Sequence, residues 1–383
     1  MKVALVHYWL VGVRGGERVL EGLNRLLPQA EIMVHVYDKD IKANFIGNKA
    51  IRETFVGRLP NAKKWYQSYL PLMPLALEQL DLRGYDLIIS SESGPAKGVV
   101  VDPGAVHICY CHSPMRYVWD MYHDYRERAG FIKRLLMPPL IHYLRMWDQL
   151  SANRVDHFVA NSAFVAERIR KCYRRESTVI HPPVAIDDFV VDPRGPDDFY
   201  LLVGQLVQYK RADLAVRAFT ESGRRLVVIG DGEQMAELKR IAGTNVELLG
   251  HQPFVIMREM YARCRALVFP GVEDFGIVPV EAMASGRPVI AFRKGGALET
   301  VVEDVTGVFF DEQSSVALNA AVQHFEETFD RYDSTVIRRH AEQFRSEIFI
   351  EKMRKFIAAA IDEQKRRSMQ CLADKAEVQG KRN

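Results

Sequence analysis

Residues 266–286 read ALVFPGVEDFGIVPVEAMASG, and this stretch decides the predicted fold. An apolar strand is followed by a loop that carries Glu273, and an apolar helix begins around Gly276 and continues to Ala284. The next residues, GRPVI at 286–290, start another strand. A strand, a helix and a second strand in succession are the repeating unit of a parallel sheet. The start of such a helix favours an anionic or hydroxyl-rich ligand at the carboxyl edge of the sheet.

The same alternation of strands and helices extends through both halves of the chain. Apolar runs in the first half predict strands at 2–9, 31–37, 85–90, 106–111, 156–161 and 177–182. A second series follows, with strands at FYLLVG, RLVVIG, VELLG, ALVFP and PVIAF separated by amphipathic helices. This pattern predicts an α/β protein with two Rossmann-type halves, each built on a parallel sheet.

The two halves are predicted to meet where this periodicity stops. Residues 183–198, PVAIDDFVVDPRGPDD, are rich in proline and acidic residues and fit neither a helix nor a strand. We therefore predict a first domain at 1–185 and a second at 186–345. A terminal helix at 346–367 and a disordered tail at 368–383 follow.

Composition excludes several classes of protein. A chain of 383 residues that is 48% hydrophobic and 26% charged is typical of a folded, two-domain protein. A net charge of +3 over this length is too weak to indicate a nucleic-acid partner. The five cysteines include no CxxC pair, which gives no sign of a metal or redox centre. No apolar run approaches the roughly 18 residues of a membrane span, so the expected compartment is the cytoplasm.

Glu273 and Glu281 are the first candidate site residues. A carboxylate can accept hydrogen bonds from both hydroxyls of a vicinal diol, and each charge-assisted bond contributes about 1.5–3 kcal/mol. Either glutamate alone is more simply explained as a solvated acid. One on a loop and one on the following helix, flanking a DFG turn, together favour binding of a sugar and a ribose.

The stretch EDFGIVPVE, residues 273–281, closely resembles the Glu-x7-Glu motif of the retaining glycosyltransferases of family four. The resemblance extends over essentially the whole chain. It implies the GT-B fold, with two Rossmann-like domains facing a central cleft and a C-terminal helix that crosses back to the first domain. It also implies that Glu273 contacts donor-sugar hydroxyls and that Glu281 holds the ribose. Backbone amides of the intervening turn, at Asp274, Phe275, Gly276 and Ile277, would contact the sugar.

A second element, LLVGQLVQYKRADLAVRAF, resembles the G-R-L-x-x-x-K motif of the same family. The resemblance implies that Lys210 stabilises the departing nucleoside diphosphate. Gln205 stands where the family has arginine, and a neutral amide cannot offset developing phosphate charge. Arg211, at the start of the following helix, either compensates for this loss or faces solvent. The resemblance also implies that Gly230 and His251 lie in loops that line the nucleotide pocket.

Two features of the first domain also match the family. The glycine loop VGVRGGERVL implies that Gly15 and Gly16 face the diphosphate and acceptor, with Arg14 and Glu17 as neighbours. His112 ends an apolar strand, at the edge where α/β sites form. The residues alone leave it more simply explained as a loop histidine. The resemblance implies a catalytic role in which His112 binds the donor sugar without acting as a nucleophile.

Two segments of the first domain mix basic, aromatic and apolar residues. They are RLPNAKKWYQSYLPLMPLALEQ at 58–79 and RAGFIKRLLMPPLIHYLRMW at 128–147. This composition suits an anionic membrane surface, and it equally suits amphipathic helices that pack on a sheet. We expect a lipid-linked oligosaccharide acceptor and peripheral contact with the cytoplasmic face of the inner membrane.

Within the family, HYWLVGVRGGERVLE and VQYKRADLAV resemble bacterial O-antigen and polysaccharide mannosyltransferases. The resemblance implies metal-independent transfer with retention and without a cofactor, with GDP-mannose as the donor substrate. GDP-rhamnose, a UDP-hexose, and sugar-nucleotide binding without catalysis remain open. An NAD-linked oxidoreductase is disfavoured because neither half carries GxGxxG. The linkage, the acceptor and the oligomeric state cannot be read from the residues.

Overall fold

The computed structural model describes residues 1–12, 15–41, 46–47 and 49–380, without the side chains of Arg128 and residues 371–380. The chain divides into two compact units. The first comprises Met1–Pro182 together with the chain from Phe349 onward, and the second comprises Pro183–Ile348. The sequence analysis predicted these boundaries after residues 185 and 345.

A parallel sheet of seven strands forms the centre of the first unit. Its strands are β1 (Val3–His7), β2 (Glu31–Val34), β3 (Ile51–Glu53), β4 (Leu87–Glu92), β5 (Val106–Cys111), β6 (His157–Ala160) and β7 (Ser177–Val179). Their order across the sheet is β3-β2-β1-β4-β5-β6-β7. Strands β1, β4 and β5 are buried along their whole length, as central strands of a parallel sheet are. The order reverses between β1 and β4, and ligands of such sheets bind at the carboxyl edge beside a reversal of this kind.

Among the described residues, six helices connect these strands. They are α1 (Gly15–Leu26), α2 (Ala62–Trp65), α3 (Met73–Glu78), α4 (Tyr122–Arg128), α5 (Phe131–Ala152) and α6 (Ala163–Tyr173), with short 3-10 segments at Phe55–Arg58 and Tyr66–Leu72. Ser162 caps α6, because its Oγ accepts a hydrogen bond of 3.1 Å from the Val165 amide. Among the helices of the described residues, none is both long and apolar enough to cross a membrane.

The second unit repeats this architecture with six parallel strands. They are β8 (Tyr200–Val203), β9 (Leu226–Ile229), β10 (Val246–Gly250), β11 (Leu267–Phe269), β12 (Val289–Phe292) and β13 (Gly307–Phe310). The order is β10-β9-β8-β11-β12-β13, so the reversal lies between β8 and β11. The prediction of two Rossmann-type halves is therefore confirmed, although the sequence analysis missed β3 and β13.

Seven helices belong to the second unit. They are α7 (Ala212–Ser222), α8 (Met235–Ile241), α9 (Phe254–Arg263), α10 (Ile277–Ala284), α11 (Ala297–Thr300), α12 (Ser315–Glu327) and α13 (Ser334–Ala341). Short 3-10 segments lie at Ile186–Asp188, Gln208–Lys210, Phe329–Arg331 and Glu342–Phe344. Helix α10 begins one residue after Gly276, close to the start that the sequence predicted.

The last helix, α14 (Ser346–Gly380), contributes to the core of the first unit. Phe349, Met353 and Ile357 are buried there against apolar residues of β1, β4 and β5. The sequence analysis expected a disordered tail from residue 368. The structure instead continues the helix to Gly380, because nothing in this polar stretch breaks a helix before that glycine.

A fully buried ionic cluster lies beneath the loop after β4. Lys97 Nζ donates to Glu92 Oε1 at 2.7 Å and also to Asp148 Oδ1. The other oxygen of Asp148 accepts hydrogen bonds from Trp119 Nε1 at 2.7 Å and from Tyr173 Oη at 3.0 Å. The two carboxylates raise the pKa of Lys97 although burial opposes the charged form. An ionic group taken out of water in this way is tolerated only when its partners are complete.

We expect Asp148→Ala to destabilise the first unit by about 3–5 kcal/mol, because it removes one carboxylate from a buried ammonium group. The measurement is the midpoint of urea unfolding followed by the fluorescence of Trp119 and its neighbours. Asp120→Ala is the matched control, since Asp120 is half exposed and pairs with Arg168 at the surface. It should cost less than about 1 kcal/mol. Equal losses in the two variants would contradict the prediction.

Candidate active site

The carboxyl edge of the second sheet carries the first group of candidate residues. Lys210 lies in the segment after β8 and Glu273 in the loop after β11, at the reversal of strand order where ligands bind in such sheets. Lys210 Nζ is 2.8 Å from Glu273 Oε1, and each side chain is 20% exposed. The predicted leaving-group cation and the predicted sugar-binding carboxylate thus form an ion pair.

A glycine pair after β12 fixes the loop that carries Glu273. The amide of Gly296 donates to the Glu273 carbonyl at 2.9 Å. A Cβ atom on Gly296 would lie 2.3 Å from the Cα and carbonyl oxygen of Phe275, so only glycine permits this approach. The sequence analysis did not single out Gly295 or Gly296. The available signal was the double glycine that follows the apolar run PVIAF.

The turn between the two glutamates is anchored in the core. Phe275 is buried and packs edge-to-face on Phe344, with ring centroids 5.4 Å apart. Asp274 beside it is half-buried. Gly276 adopts a φ of +84° and precedes Ile277, the first residue of α10. Because the Phe275 ring is buried in the core, only the backbone of that residue can contact a ligand.

Glu281 lies in α10 and is held by a neighbouring helix. Tyr261 of α9 is fully buried, and its hydroxyl donates to Glu281 Oε2 at 2.8 Å. Burial raises the pKa of Tyr261 well above its usual value, and the Glu281 carboxylate raises it further. The tyrosine therefore remains a donor at physiological pH. Sequence periodicity placed Tyr261 in a helix but gave no sign of this contact.

The remaining basic group near Lys210 is engaged in a local ion pair. Gln205 is exposed, and its backbone carbonyl accepts from the Val207 amide at 2.9 Å. Arg211 adopts a φ of +54° at the start of α7. Its Nε and Nη2 donate to the two carboxylate oxygens of Asp213 at 3.1 and 3.2 Å. In this arrangement Arg211 pairs with Asp213, whereas Lys210 pairs with Glu273, so Lys210 is the basic group in contact with the candidate carboxylate.

Gly230 and His251 lie at the ends of the next two strands. A Cβ atom on Gly230 would lie 1.8 Å from the carbonyl oxygen of Gly204, so the turns after β8 and β9 touch through their backbones. The Gly230 amide donates to the Gly250 carbonyl at 2.9 Å. His251 follows directly after β10 and is exposed. The structure thus places both residues at the carboxyl edge that Lys210 and Glu273 occupy.

A histidine pair marks the corresponding edge of the first sheet. His112 Nε2 lies 2.9 Å from Ser91 Oγ, and the same oxygen lies 3.0 Å from His7 Nδ1. His7 ends β1, Ser91 is the penultimate residue of β4 and His112 follows β5, and the strand order reverses between β1 and β4. The sequence analysis selected His112 but missed His7 and Ser91. Their signal was polar character within otherwise apolar buried strands, since buried polar groups require partners.

Gly16 and Glu17, at the start of α1, lie against this histidine pair. Gly15 is the first residue of α1. A Cβ atom on Gly16 would lie 2.2 Å from Tyr8 Oη and 3.6 Å from His112 Nε2, so Gly16 lets the helix start approach both rings. Glu17 is buried, with Oε1 3.9 Å from His7 Nε2. Arg14, named as a neighbour from the sequence, lies outside the described residues.

His112 is a neutral imidazole under ordinary conditions. Burial lowers its pKa to about 3, and any positive charge on the neighbouring His7 ring would act in the same direction. A neutral ring can donate through one nitrogen and accept through the other. Within the part of the chain that the structure describes, no cluster of three histidine, cysteine or carboxylate side chains could hold a metal ion. The expectation that transfer is metal-independent stays a prediction.

Two family models match adjoining parts of the chain. One, described as Glycosyltransferase Family 4, matches residues 13–188. The other, described as Glycosyl transferases group 1, matches residues 185–336. Their junction coincides with the division into two units. The chain belongs to glycosyltransferase family four.

Curated relatives of this family-four protein are distant in sequence. The alpha-1,3/1,6-mannosyltransferase ALG2 of Saccharomyces cerevisiae is 22% identical over 333 residues, covering 72% of this chain and 62% of the relative. The GDP-mannose-dependent alpha-(1-6)-phosphatidylinositol monomannoside mannosyltransferase of Mycolicibacterium smegmatis is 28% identical over 202 residues. That match covers 44% of this chain and 53% of the relative. The chain therefore spans only about half to three fifths of the length of these relatives.

Solved structures share the fold of this family-four protein. HepE of Anabaena, crystallised in complex with UDP and glucose, superposes with a TM-score of 0.70 at 16% identity. The match covers 94% of this chain and 99% of HepE. Together with the two parallel sheets, this similarity confirms the predicted GT-B fold. The roles of individual site residues stay predictions.

Gly296→Ala should displace the loop that carries Glu273, because its methyl group would overlap the Phe275 backbone. We expect affinity for a sugar nucleotide to fall by at least about tenfold, the equivalent of roughly 1.4 kcal/mol. Isothermal titration measures the change. Gly104→Ala is the control, since a Cβ atom there meets nothing within 4 Å. Unchanged affinity in the Gly296 variant would show that the glycine pair does not position the loop.

Acid should destabilise the first unit through His112. The unfolded ring takes up a proton below about pH 6.5, whereas the folded ring does so only near pH 3. The stability linked to this ring is thus fully present above about pH 6.5 and is lost as the pH falls towards 3. His112→Asn should therefore show a smaller drop in Tm than the wild type between about pH 7.5 and pH 5. Exposed His142→Asn should retain the wild-type drop, and a wild-type drop in His112→Asn would refute the link.

Proposed function

We propose that the protein is a retaining hexosyltransferase that moves mannose from GDP-mannose to a lipid-linked oligosaccharide acceptor in bacterial surface-polysaccharide synthesis. The observation that carries this proposal is the contact of 2.8 Å between Lys210 and Glu273 at the reversal point of the second sheet. A cation suited to a diphosphate and a carboxylate suited to sugar hydroxyls lie there side by side. A sugar diphosphate presents both complementary groups within one molecule.

When the donor substrate binds, Lys210 and Glu273 can each replace their mutual ion pair by an interaction with the donor. When the diphosphate binds, the Lys210 ammonium group gains a doubly charged partner, and its charge offsets the negative charge that grows on the leaving group. Glu273 is then left to accept hydrogen bonds from sugar hydroxyls and to stabilise the positive character of the anomeric carbon. Mutual neutralisation keeps both groups correctly placed before the substrate arrives, since neither is a lone charge at a partly buried position.

Glu281 supports recognition of the ribose. Tyr261 supplies one hydrogen bond to its carboxylate and fixes the orientation of the group. A carboxylate held in this way accepts hydrogen bonds from hydroxyl groups with little loss of side-chain entropy. His112, neutral and half-buried at the edge of the first sheet, supplies a hydrogen bond to a sugar hydroxyl. This role of His112 requires no covalent intermediate on its ring.

The choice of donor rests on the relatives. Both curated relatives described above are named mannosyltransferases, and one is named GDP-mannose-dependent. The HepE structure contains UDP and glucose, which keeps a UDP-hexose as a second candidate. Gln205 in place of the family arginine motivates a third candidate, a protein that binds sugar nucleotides without catalysis. GDP-rhamnose is a further possible donor.

The decisive experiment incubates the protein with GDP-mannose, GDP-rhamnose and UDP-glucose in the presence of a lipid-linked oligosaccharide. We expect transfer from GDP-mannose with retention at the anomeric carbon, observed by NMR of the product. Glu273→Gln should lower kcat by about a hundredfold or more, as loss of a transition-state contact does. Glu247→Gln, an exposed glutamate of β10, should leave it unchanged. Binding of GDP-mannose without transfer would instead favour the non-catalytic candidate.

Helix α5 supports contact with an anionic membrane. Before its two prolines, Phe131 is 84% exposed and Ile132 72%, while Leu135 and Leu136 are 68% and 59% exposed. Exposed Lys133 and Arg134 lie among them, and residues 131–147 contain no acidic side chain. Large apolar residues of this kind are seldom left in water without a partner. An anionic bilayer satisfies both the apolar surface and the positive charge, as a lipid-linked acceptor requires.

Replacing Phe131 and Leu135 together by serine should weaken binding to phosphatidylglycerol vesicles by more than about tenfold. Each large apolar side chain contributes about 1.5–3 kcal/mol when it leaves water, and 1.4 kcal/mol corresponds to tenfold. Vesicle flotation measures the change. Val316→Ser, at an exposed residue of α12, is the matched control and should have no effect. Equal binding to pure phosphatidylcholine would argue against the electrostatic part.

A further inference from the structure

A chain of hydrogen bonds links three neighbouring strands at the edge of the first sheet. His7 Nδ1 lies 3.0 Å from Ser91 Oγ, and Ser91 Oγ lies 2.9 Å from His112 Nε2. His7 and Ser91 are buried to 99% or more. Distances alone do not show which atom of each pair carries the proton. The surroundings of His7 decide the direction.

Glu17 sets the first proton. His7 Nε2 is buried and has no hydrogen-bond partner among the described residues. Among the described residues, the Glu17 carboxylate faces this nitrogen, with Oε1 at 3.9 Å. A buried carboxylate attracts an N–H group and repels a nitrogen lone pair, and the low dielectric of the interior strengthens this preference. The proton of a neutral His7 therefore lies on Nε2, and Nδ1 carries a lone pair.

The proton position on His7 then determines the donor and the acceptor of each following hydrogen bond, first at Ser91 and then at His112. Because His7 Nδ1 can only accept, the single hydroxyl proton of Ser91 must be donated to it. Ser91 Oγ is then available to His112 only as an acceptor. His112 Nε2 must supply the proton of that bond. A neutral imidazole has one N–H group, so Nδ1 of His112 is left with a lone pair.

We propose that Glu17, His7 and Ser91 act as positioning residues that hold His112 in the form protonated on Nε2, so that Nδ1 accepts a hydrogen bond from a sugar hydroxyl. The last clause rests on the proposed function, whereas the protonation pattern does not. In this form His112 cannot donate through Nδ1 to a phosphate or a carbonyl oxygen. It discriminates in favour of hydroxyl groups, the donors that a sugar offers.

Histidine 15N NMR on the full chain tests the protonation pattern without any substrate. We expect His112 and His7 to show protonated Nε2 and unprotonated Nδ1 at neutral pH, with resonances assigned through His112→Asn and His7→Asn. Ser91→Ala should move the two nitrogen shifts of His112 towards averaged values, because both tautomers then become accessible. A His112 ring protonated on Nδ1 in the unmodified protein would overturn the proposal.

Ser90 offers a matched control one residue earlier on β4. Its Oγ lies 2.9 Å from His107 Nε2, so Ser90→Ala removes an equivalent buried serine–histidine hydrogen bond that does not involve His7, Ser91 or His112. We expect Ser91→Ala to lower kcat by about tenfold and Ser90→Ala by less than twofold, at matched Tm. Equal kcat values in the two variants would remove the positioning role.

Glu17→Gln provides a second arm that keeps the shape of the side chain. The amide replaces the charge that orients His7, so we expect the His112 nitrogen shifts to move as they do in Ser91→Ala. Retention of the unmodified shifts would exclude Glu17 as the source of the direction. If no sugar nucleotide supports transfer by the unmodified protein, the proposed function fails, and the NMR experiment still decides the protonation pattern.

Discussion

The loops at the carboxyl edge of the second sheet contact one another through backbone atoms at distances that leave no room for side chains. Gly296 lies on the Phe275 backbone, and a Cβ atom on Gly271 would lie 2.6 Å from the Cα atom of Lys210. These contacts join the loops after β8, β11 and β12 into one layer. The backbones that carry Lys210 and Glu273 are therefore held close to each other by glycine contacts.

In the first unit, the carboxyl edge of the sheet is held together by side chains and not by close backbone contacts. There the candidate group is made from side chains that project from central strands, and the polar contacts lie within the buried sheet. The carbonyl oxygen of Glu92 accepts the His112 amide at 2.7 Å, while its side chain joins the cluster around Lys97. The histidine chain and the ionic cluster thus share one strand end.

Much of the fold could be predicted because long apolar strands alternate with amphipathic helices. The prediction for β5 matches its observed bounds, and Gly276 marks the start of α10. Strand β3 was missed because two of its three residues are charged, and β13 because only three apolar residues follow Gly307 in it. Local periodicity gives little information about such strands.

Candidate site residues that belong to a sequence motif could be predicted. Those that join the site only through a tertiary contact were missed. Glu273, Glu281 and Lys210 stand in recognisable patterns. His7 and Ser91 are 84 residues apart in sequence, so only the fold brings them together. The contact of Tyr261 with Glu281 is of the same kind, because a tyrosine in an amphipathic helix is expected in the core regardless of what its hydroxyl touches.

The route of α14 has a consequence for the order in which the protein folds during synthesis. The second unit is complete once Ile348 has been made, and its core needs nothing beyond that residue. The first unit, although its strands precede the second unit in the chain, lacks Phe349, Met353 and Ile357 until the second unit has been synthesised. It must persist with part of its apolar core exposed while the second unit is synthesised. The unit that is synthesised earlier is therefore the later of the two to complete its core, and in that interval its exposed apolar surface can favour aggregation.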